Sequence, residues 1–291
     1  MQDIVVAKLP NAGLGNKLFV WGAAFIFAKQ NNLPLYIIGL NRIHLGPFLR
    51  NEKVKRLYYG QFNRQKTEIK LLYWKHKFRG TSIIYEPKIG QMKSNYPTQF
   101  IFNTIPSWRD YFGNLNQDRI ALLNEFNVLL SKKVTDRLSI HTTLPAIAIH
   151  IRMGDFKTLQ DGKDFKLESA TRTPLHYFKQ CLLKIREKFS YQIKATIFTD
   201  GYKEEVQELL AIENVEFHEA DLDVVDLLLL SKSKVIVTSA HSSFSEWAGF
   251  LSEAAIIRHP DHIHSRIRIE EDLFEGTIDE YMKLPITELY K

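Results

Sequence analysis

The sequence predicts an α/β protein of two Rossmann-like domains that face a central cleft. Residues 4–38 run in the order strand, glycine loop, helix, strand, which is typical of a βαβ unit with a parallel sheet. From residue 146 onwards, short β-prone runs alternate with helical runs at the spacing of a doubly wound domain. Thr142, Thr143 and Pro145 interrupt the pattern, so we predict an N-terminal domain over 1–140 and a C-terminal domain over 141–291.

The individual elements follow from runs of apolar and β-branched residues. In the first domain these runs predict strands over 4–9, 35–38 and 82–85, a helix from Lys17 and another over 120–130. In the second domain they predict strands over 146–151, 195–199, 215–217, 235–237 and 255–257. The helices between them are predicted over 174–189, with proline in the first turn, and over 203–210, 224–230 and 243–251.

The composition is that of a folded protein with a substantial core. Of 291 residues, 45% are hydrophobic and 12% aromatic, which excludes a disordered or low-complexity chain. A single cysteine, Cys181, excludes an internal disulfide and a cysteine-based zinc site. No apolar run has the length of a membrane span, and the N-terminus lacks a signal-peptide pattern, so we expect a cytoplasmic protein. The net charge of +6 favours anionic partners such as phosphates, nucleotides or acidic lipid surfaces.

The segment Gly13-Leu14-Gly15-Asn16 connects the first strand to the first helix. Glycines let the backbone approach a ligand, and the helix N-terminus behind them favours negative charge. An ordinary βα turn explains the glycine pair equally well. The dinucleotide fingerprint is incomplete because Leu18 occupies the place of its third glycine, so we expect no nicotinamide cofactor.

A polar segment follows the first strand of the second domain. A strand of Ala and Ile has no structural need to end in His150, Arg152 and Asp155. The arginine fork fits phosphate oxygens, and Gly154 lets the backbone come close to them. The alternative interpretation is a surface ion pair between Arg152 and Asp155.

Two further loops carry polar residues at the same edge of the predicted sheet. Ser242 and Ser243 open a helix with more hydroxyls and free amides than one N-cap requires, a set that suits a diphosphate. Asp200 follows another strand, where it either binds a ribose or a base or stabilises a turn. Because the carboxyl ends of parallel strands meet at one edge, we predict that these groups and those of the previous segment form an anion site, most simply for a nucleotide diphosphate.

Three segments together resemble motifs of the bacterial α-1,2-fucosyltransferases of glycosyltransferase family 11. Residues 12–22, AGLGNKLFVWG, resemble that family's GGLGNQ[ML]FQYA segment. Residues 150–155, HIRMGD, resemble its HxRRGD segment, and residues 241–247, HSSFSEW, resemble its closing NSTFSWW segment. Residues 226–232, DLLLLSK, resemble the helix before that last motif. Order and spacing are similar from residue 4 to residue 260.

The resemblance implies a GT-B-type, inverting glycosyltransferase that uses GDP-β-L-fucose without a metal or other cofactor. The N-terminal domain would then bind a glycan acceptor of a surface polysaccharide, such as an O-antigen or capsule, and the C-terminal domain the GDP-sugar. Arg152 would hold the β-phosphate, and Asn16 and Asp155 would complete the catalytic group. The implied donor-binding residues are Gly13, Gly15, His150, Asp200, Ser242, Ser243 and the amide of Phe244.

Several positions depart from the family's motifs. Met153 replaces the second arginine, with Lys157 as an alternative cation, while Lys17, His241 and Glu246 replace Gln, Asn and Trp. A related GDP-deoxyhexose, such as GDP-colitose, is therefore an alternative donor. The candidates for the general base that deprotonates the acceptor are Asp155, His150 and Glu246.

Residues 53–80 form a basic stretch with nine Lys or Arg, one acidic residue and six aromatic residues. A solvated basic face explains it, as does binding of a sugar, of single-stranded nucleic acid or of an anionic membrane. We favour acceptor binding, with a lipid-linked glycan at the inner membrane face, and expect no nucleic-acid partner. A non-catalytic nucleotide- or nucleic-acid-binding module and a lectin are the alternative functions.

Overall fold

The structure is a computed structural model that describes residues 2–40, 58–63, 81–88, 97–168, 170–190, 192–262 and 265–285. Contacts between Cα atoms divide the chain into two compact units. The described residues up to 137 form the first unit, and those from 138 onwards form the second. The domain boundary after residue 140 stays a prediction.

The first unit is built on a parallel four-stranded sheet. Its strands are β1 (Ile4–Lys8), β2 (Leu35–Ile38), β3 (Ser82–Tyr85) and β4 (Thr98–Phe102), in the spatial order β2-β1-β4-β3. Helix α1 (Leu14–Gln30) connects β1 to β2, and α2 (Arg119–Leu129) and α3 (Lys132–Ile140) follow β4 along the chain. The predicted βαβ unit at the start of the chain is therefore confirmed.

Helix α1 is apolar around most of its circumference and is buried accordingly. The Phe27 ring packs against Phe100 and Phe102 of β4, with ring centroids 5.1 and 5.5 Å apart. Lys17 is also buried, and its ammonium group donates to the Gly39 carbonyl oxygen at 2.7 Å. This departure from the family motif therefore ties α1 to the end of β2.

The second unit is a six-stranded parallel sheet with helices between its strands. The strands are β5 (Ile147–Ile151), β6 (Ala195–Thr199), β7 (Val215–Phe217), β8 (Val235–Val237), β9 (Ala255–Ile257) and β10 (Glu275–Gly276). The helices are α4 (Leu175–Lys188), α5 (Gln207–Leu210), α6 (Asp223–Ser231), α7 (Ser243–Phe250) and α8 (Ile278–Lys283). The strands lie in the order β10-β9-β8-β5-β6-β7, all parallel.

Counted from β5, this is the strand order 3-2-1-4-5-6 of the Rossmann fold. The order reverses between β5 and β8, and ligands of such sheets bind at the carboxyl ends of the two strands beside that point. The predicted α/β class is confirmed, and the predicted strands of this unit lie within one residue of the observed ones. The sequence pattern did not predict β4, α3, β10 or α8.

Candidate functional site

The Ser239 hydroxyl joins the two loops at the switch point of the second sheet. It donates to the His150 carbonyl oxygen of β5 at 2.9 Å and accepts from the Arg152 amide at 2.8 Å. Ser239 is fully buried and lies two residues after β8. The segment after β5 and the segment leading into α7 are therefore adjacent, as their place on the sheet predicted.

The Arg152 side chain lies between two carboxylates. Its Nη1 atom pairs with Asp200 and its Nη2 atom with Asp155, and the guanidinium lies 5.3 Å from the centre of the Phe156 ring. The ion pair with Asp155, the alternative interpretation of this segment, is therefore present, and Asp200 is an additional partner. The side chain keeps 18% of its surface exposed.

Asp200 organises the backbone that carries Arg152. Its Oδ1 atom accepts from the Met153 amide at 2.7 Å and from the Gly154 amide at 3.1 Å, while Oδ2 accepts from Arg152. The turn after it requires Gly201, because a Cβ there would lie 2.7 Å from side-chain atoms of Met153. This carboxylate therefore stabilises the conformation of the loop that carries Arg152. Its contact with a donor stays a prediction.

Met153 points away from the loop surface and into the core. Its side chain is 4% exposed and belongs to the same hydrophobic cluster as Ile151 and Tyr177. The position at which the family motif has a second arginine is thus a core position in this chain. Lys157, the alternative cation, is exposed, and its backbone pairs with that of Thr171.

His150 is buried at the end of β5 and faces the start of α7. Its ring stacks on Phe244 with a centroid distance of 5.2 Å. Burial lowers the pKa of His150 to about 4; Asp200 opposes this shift and Arg152 adds to it. The ring is therefore neutral at pH 7. Among the described residues its buried Nδ1 atom has no hydrogen-bond partner.

Helix α7 presents its N-terminal amides beside this ring. Ser242 caps the helix by accepting from the Ser245 amide, while Ser243 and Phe244 are half-buried, and amides in a first turn have no intrahelical acceptor. Helix N-termini of this kind favour anions. His241 stands before the cap at φ 57°, in the left-handed region where Asn and His are both enriched. This conformation explains why His can replace the Asn of the family motif.

Glu246 lies in the first turn of α7 but faces the interior. Both of its carboxylate oxygens accept from Arg258 Nη2 at 3.3 Å, and its side chain is 8% exposed. Burial raises the pKa of Glu246, and the Arg258 charge counteracts that shift. A carboxylate held in this way cannot reach an acceptor hydroxyl, so the structure argues against Glu246 as the general base.

A cavity of about 350 Å³ lies on the same sheet, one strand away from His150. Phe198 is the register partner of His150 on β6, and its ring centroid lies 4.4 Å from that of His218. His218 in turn contacts Asp226 at 2.7 Å. The other lining residues include His141, Thr143, Thr196, Glu219 and Leu229. The sequence pattern does not predict this cavity, because the cavity depends on which strands are neighbours and on their register.

The first unit contributes the glycine loop after β1. Gly13 has an extended backbone and precedes the first residue of α1, and Gly15 is buried within the first turn. The half-buried Asn16 points an oxygen, Oδ1, into a buried position where the described residues offer it no hydrogen-bond partner. The three predicted residues are thus close in sequence and in space, and their role in donor binding stays a prediction.

In the described ranges, no three His, Cys, Asp or Glu side chains are grouped as a metal site would require. No helix in this part of the chain is both long and apolar enough to cross a bilayer. The nine basic residues of the 53–80 stretch lie outside the described residues. Of its aromatic residues, Tyr58 and Phe62 are buried and Tyr59 is 56% exposed.

Comparison with solved structures identifies the fold. The fucosyltransferase NodZ from Bradyrhizobium is similar with a TM-score of 0.58 and 14% identity, over 90% of this chain and 97% of that chain. The NodZ α-1,6-fucosyltransferase soaked with GDP-fucose is similar with a TM-score of 0.55 and 14% identity, over 89% of this chain and 95% of that chain. POFUT1 in complex with GDP is similar with a TM-score of 0.52 and 14% identity, over 86% of this chain and 95% of that chain. No protein-family model matches the sequence, and no curated protein does.

The chain has a GT-B-type fold. At this level of identity the similarity establishes the fold, as the sequence motifs implied. The segments that carry the motifs follow β1, β5 and β8, at the carboxyl ends of their strands.

Proposed function

We propose that this protein is an inverting glycosyltransferase that transfers L-fucose from GDP-β-L-fucose to a hydroxyl of an acceptor glycan, forming an α-1,2 linkage in a bacterial surface polysaccharide such as an O-antigen or capsule. The observation that carries the proposal is the pairing of the Arg152 loop with the α7 N-terminus through Ser239. The solved relatives are described with GDP or GDP-fucose, which supports the choice of donor. A related GDP-deoxyhexose such as GDP-colitose is the alternative donor.

The diphosphate binds where a cation and helix amides converge. Arg152 holds the β-phosphate through its guanidinium fork, and the amides of Ser243 and Phe244 with the Ser242 hydroxyl bind the remaining oxygens. The neutral His150 ring lies behind them, stacked on Phe244. No metal ion is needed in this proposal, because the guanidinium and the amides supply the positive charge.

The nucleobase binds in the cavity beside β6. Its volume of about 350 Å³ is sufficient for a purine ring, and the rings of Phe198 and His218, which pack against each other with centroids 4.4 Å apart, form part of its lining. The lining residue Phe198 is the register partner of His150 on the neighbouring strand, so the cavity and the proposed diphosphate site lie on adjacent strands of one sheet. This arrangement supports a nucleoside diphosphate rather than an isolated anion.

In the reaction, the acceptor oxygen forms a bond to C1 of fucose while the bond from C1 to the phosphate oxygen breaks. The electron pair of that bond remains on the β-phosphate, where Arg152 and the α7 amides stabilise the added charge. The acceptor proton passes to Asp155, which is the most exposed of the three base candidates. Asn16, after the Gly13 and Gly15 turn, completes the proposed catalytic group.

A panel of nucleotide sugars tests the proposal. We expect GDP to raise the melting temperature, GDP-fucose to be consumed when a glycan acceptor is present, and NMR of the product to show an α-1,2 linkage. Consumption of GDP-colitose alone would select the alternative donor. If no nucleotide sugar is consumed and GDP gives no shift, the proposal is wrong.

Arg152→Ala should lower turnover by about 100-fold or more and remove the GDP-induced shift, because it removes the cation that stabilises the leaving group. Lys166→Ala, which removes one positive charge from an exposed position in the same loop, is the matched control and should behave as the wild type. Wild-type turnover in Arg152→Ala would refute the role of Arg152.

We also propose that residues 53–80 bind the acceptor at an anionic membrane surface. Sedimentation with vesicles that contain anionic lipid should capture the protein at low salt and release it at high salt. Equal binding to neutral and anionic vesicles, or none to either, contradicts this part of the proposal without affecting the donor site.

A further inference from the structure

The Arg152 guanidinium is engaged by acidic side chains in the state that the structure shows. It forms ion pairs with two carboxylates, those of Asp155 and Asp200. A diphosphate that approaches this group meets a cation whose two nitrogens already have acidic partners. Binding of the diphosphate therefore requires that at least one carboxylate leaves the Arg152 guanidinium.

The two carboxylates are held very differently. Asp200 accepts from the backbone amides of Met153 and Gly154 as well as from the guanidinium, and its side chain is 14% exposed. Its displacement would leave two loop amides without their acceptor, which is costly in a partly buried site. Asp155 stands on the exposed side of the loop with 38% of its side chain exposed, where water can solvate it after release.

We propose that Arg152 exchanges Asp155 for the donor diphosphate and keeps Asp200. In this scheme, which rests on the proposed function, Asp155 is a competitor for the guanidinium in the empty site. Asp200 is a positioning residue that aims Arg152 in both states. The exchange also releases the Asp155 carboxylate only after the donor has bound, so that its lone pair becomes available to the acceptor proton at that stage of the reaction.

The scheme predicts opposite effects for two substitutions that remove the same charge from the same guanidinium. Asp155→Asn removes the competitor, so the Kd for GDP should fall by about fivefold. Asp200→Asn removes the ion pair that holds the Arg152 side chain in position, so the Kd for GDP should rise by about tenfold. A role of either residue in folding alone would not tighten binding.

The experiment is isothermal titration calorimetry of the full chain with GDP and with GMP. GMP lacks the β-phosphate that Arg152 would hold, so Asp155→Asn should leave its Kd unchanged. Asp155→Glu restores a carboxylate within reach of the guanidinium and should return the GDP affinity to near the wild-type value. Asp161→Asn removes one negative charge from an exposed position of the same loop, and it should bind GDP as the wild type does.

Unchanged or weaker GDP binding by Asp155→Asn overturns the inference while the proposed function stands. An equal gain for GDP and GMP also overturns it, because it would report a general charge effect. If Asp200→Asn fails to fold, the Asp155 variants and the GMP comparison decide alone. If the wild type binds no GDP, the proposed function fails and the exchange fails with it.

Discussion

The Ser239 hydroxyl allows the geometry of the site to be tested apart from its charge. Ser239→Ala removes two buried hydrogen bonds, the one to the His150 carbonyl oxygen and the one from the Arg152 amide. Each bond contributes about 1 kcal/mol, and the buried amide that is left unsatisfied adds about 1–3 kcal/mol, so the free energy of unfolding should fall by about 3–5 kcal/mol. At about 2–4 °C per kcal/mol, the melting temperature should fall by roughly 6–20 °C.

The substitution should also raise the Kd for GDP by about tenfold, since the loop of Arg152 loses its link to the segment before α7. Ser252→Ala is the matched control. Its hydroxyl is equally buried, donates to the Gly249 carbonyl oxygen at 2.8 Å and accepts from the Ala254 amide at 3.3 Å, at the other end of α7. It should lose comparable stability and keep its affinity for GDP.

Differential scanning fluorimetry gives the stability of both variants, and calorimetry below their melting temperatures gives the GDP affinity. The reasoning is refuted if the two variants are equally destabilised and Ser239→Ala still binds GDP as the wild type does. In that case the link between the loops contributes to the fold alone.

Three further predictions follow from the buried groups of the second unit. Burial lowers the pKa of His150 from its usual 6.5 to about 4, so between these pH values this side chain is protonated only in the unfolded chain. The free energy of unfolding should therefore decrease by up to about 3 kcal/mol as the pH falls through this window. His150→Gln should abolish that decrease in urea titrations. Arg258→Leu leaves the buried Glu246 carboxylate unpaired and should cost about 3–5 kcal/mol of stability, most of which Glu246→Leu in the same chain should restore. Gly201→Ala introduces a Cβ 2.7 Å from the Cβ and Cγ atoms of Met153 and should weaken GDP binding, as measured by calorimetry.

Each of these predictions has an outcome that contradicts it. A pH dependence that is undiminished in His150→Gln assigns the titration to another group, such as His259, whose pKa burial also lowers. A double variant at 246 and 258 that is as unstable as Arg258→Leu shows that packing, rather than the unpaired charge, causes the loss. Unchanged GDP affinity in Gly201→Ala means that the loop accommodates the methyl group elsewhere.

The fold and the edge that carries the site were predictable because both depend on local patterns. The buried run of β5 ends abruptly in His150 and Arg152, and a serine-rich segment follows β8. Such changes from apolar to polar residues mark the ends of parallel strands. β4 was missed because Thr98 and Gln99, although buried, interrupt its apolar pattern. β10 has only two residues, too few to give a pattern.

The partners of individual side chains were not predictable, because they depend on strand order and on contacts distant in sequence. Asp200 lies 48 residues after Arg152, and only the pairing of β5 with β6 brings the two together. Glu246 looks like an accessible acid in a functional motif until Arg258, at the end of β9, is placed beside it. Alternation along the chain gives no information on either contact.

The inward side chain of Met153 has a consequence for the speed of the proposed enzyme. A loop with one guanidinium holds a spent nucleotide less tightly than a loop with two, because each charge-assisted bond to a phosphate contributes separately to affinity. The affinity for the incoming donor is lower for the same reason, so this chain would need a higher concentration of nucleotide sugar to be saturated. The same lower affinity would make the release of GDP faster, so product release would limit the turnover rate less.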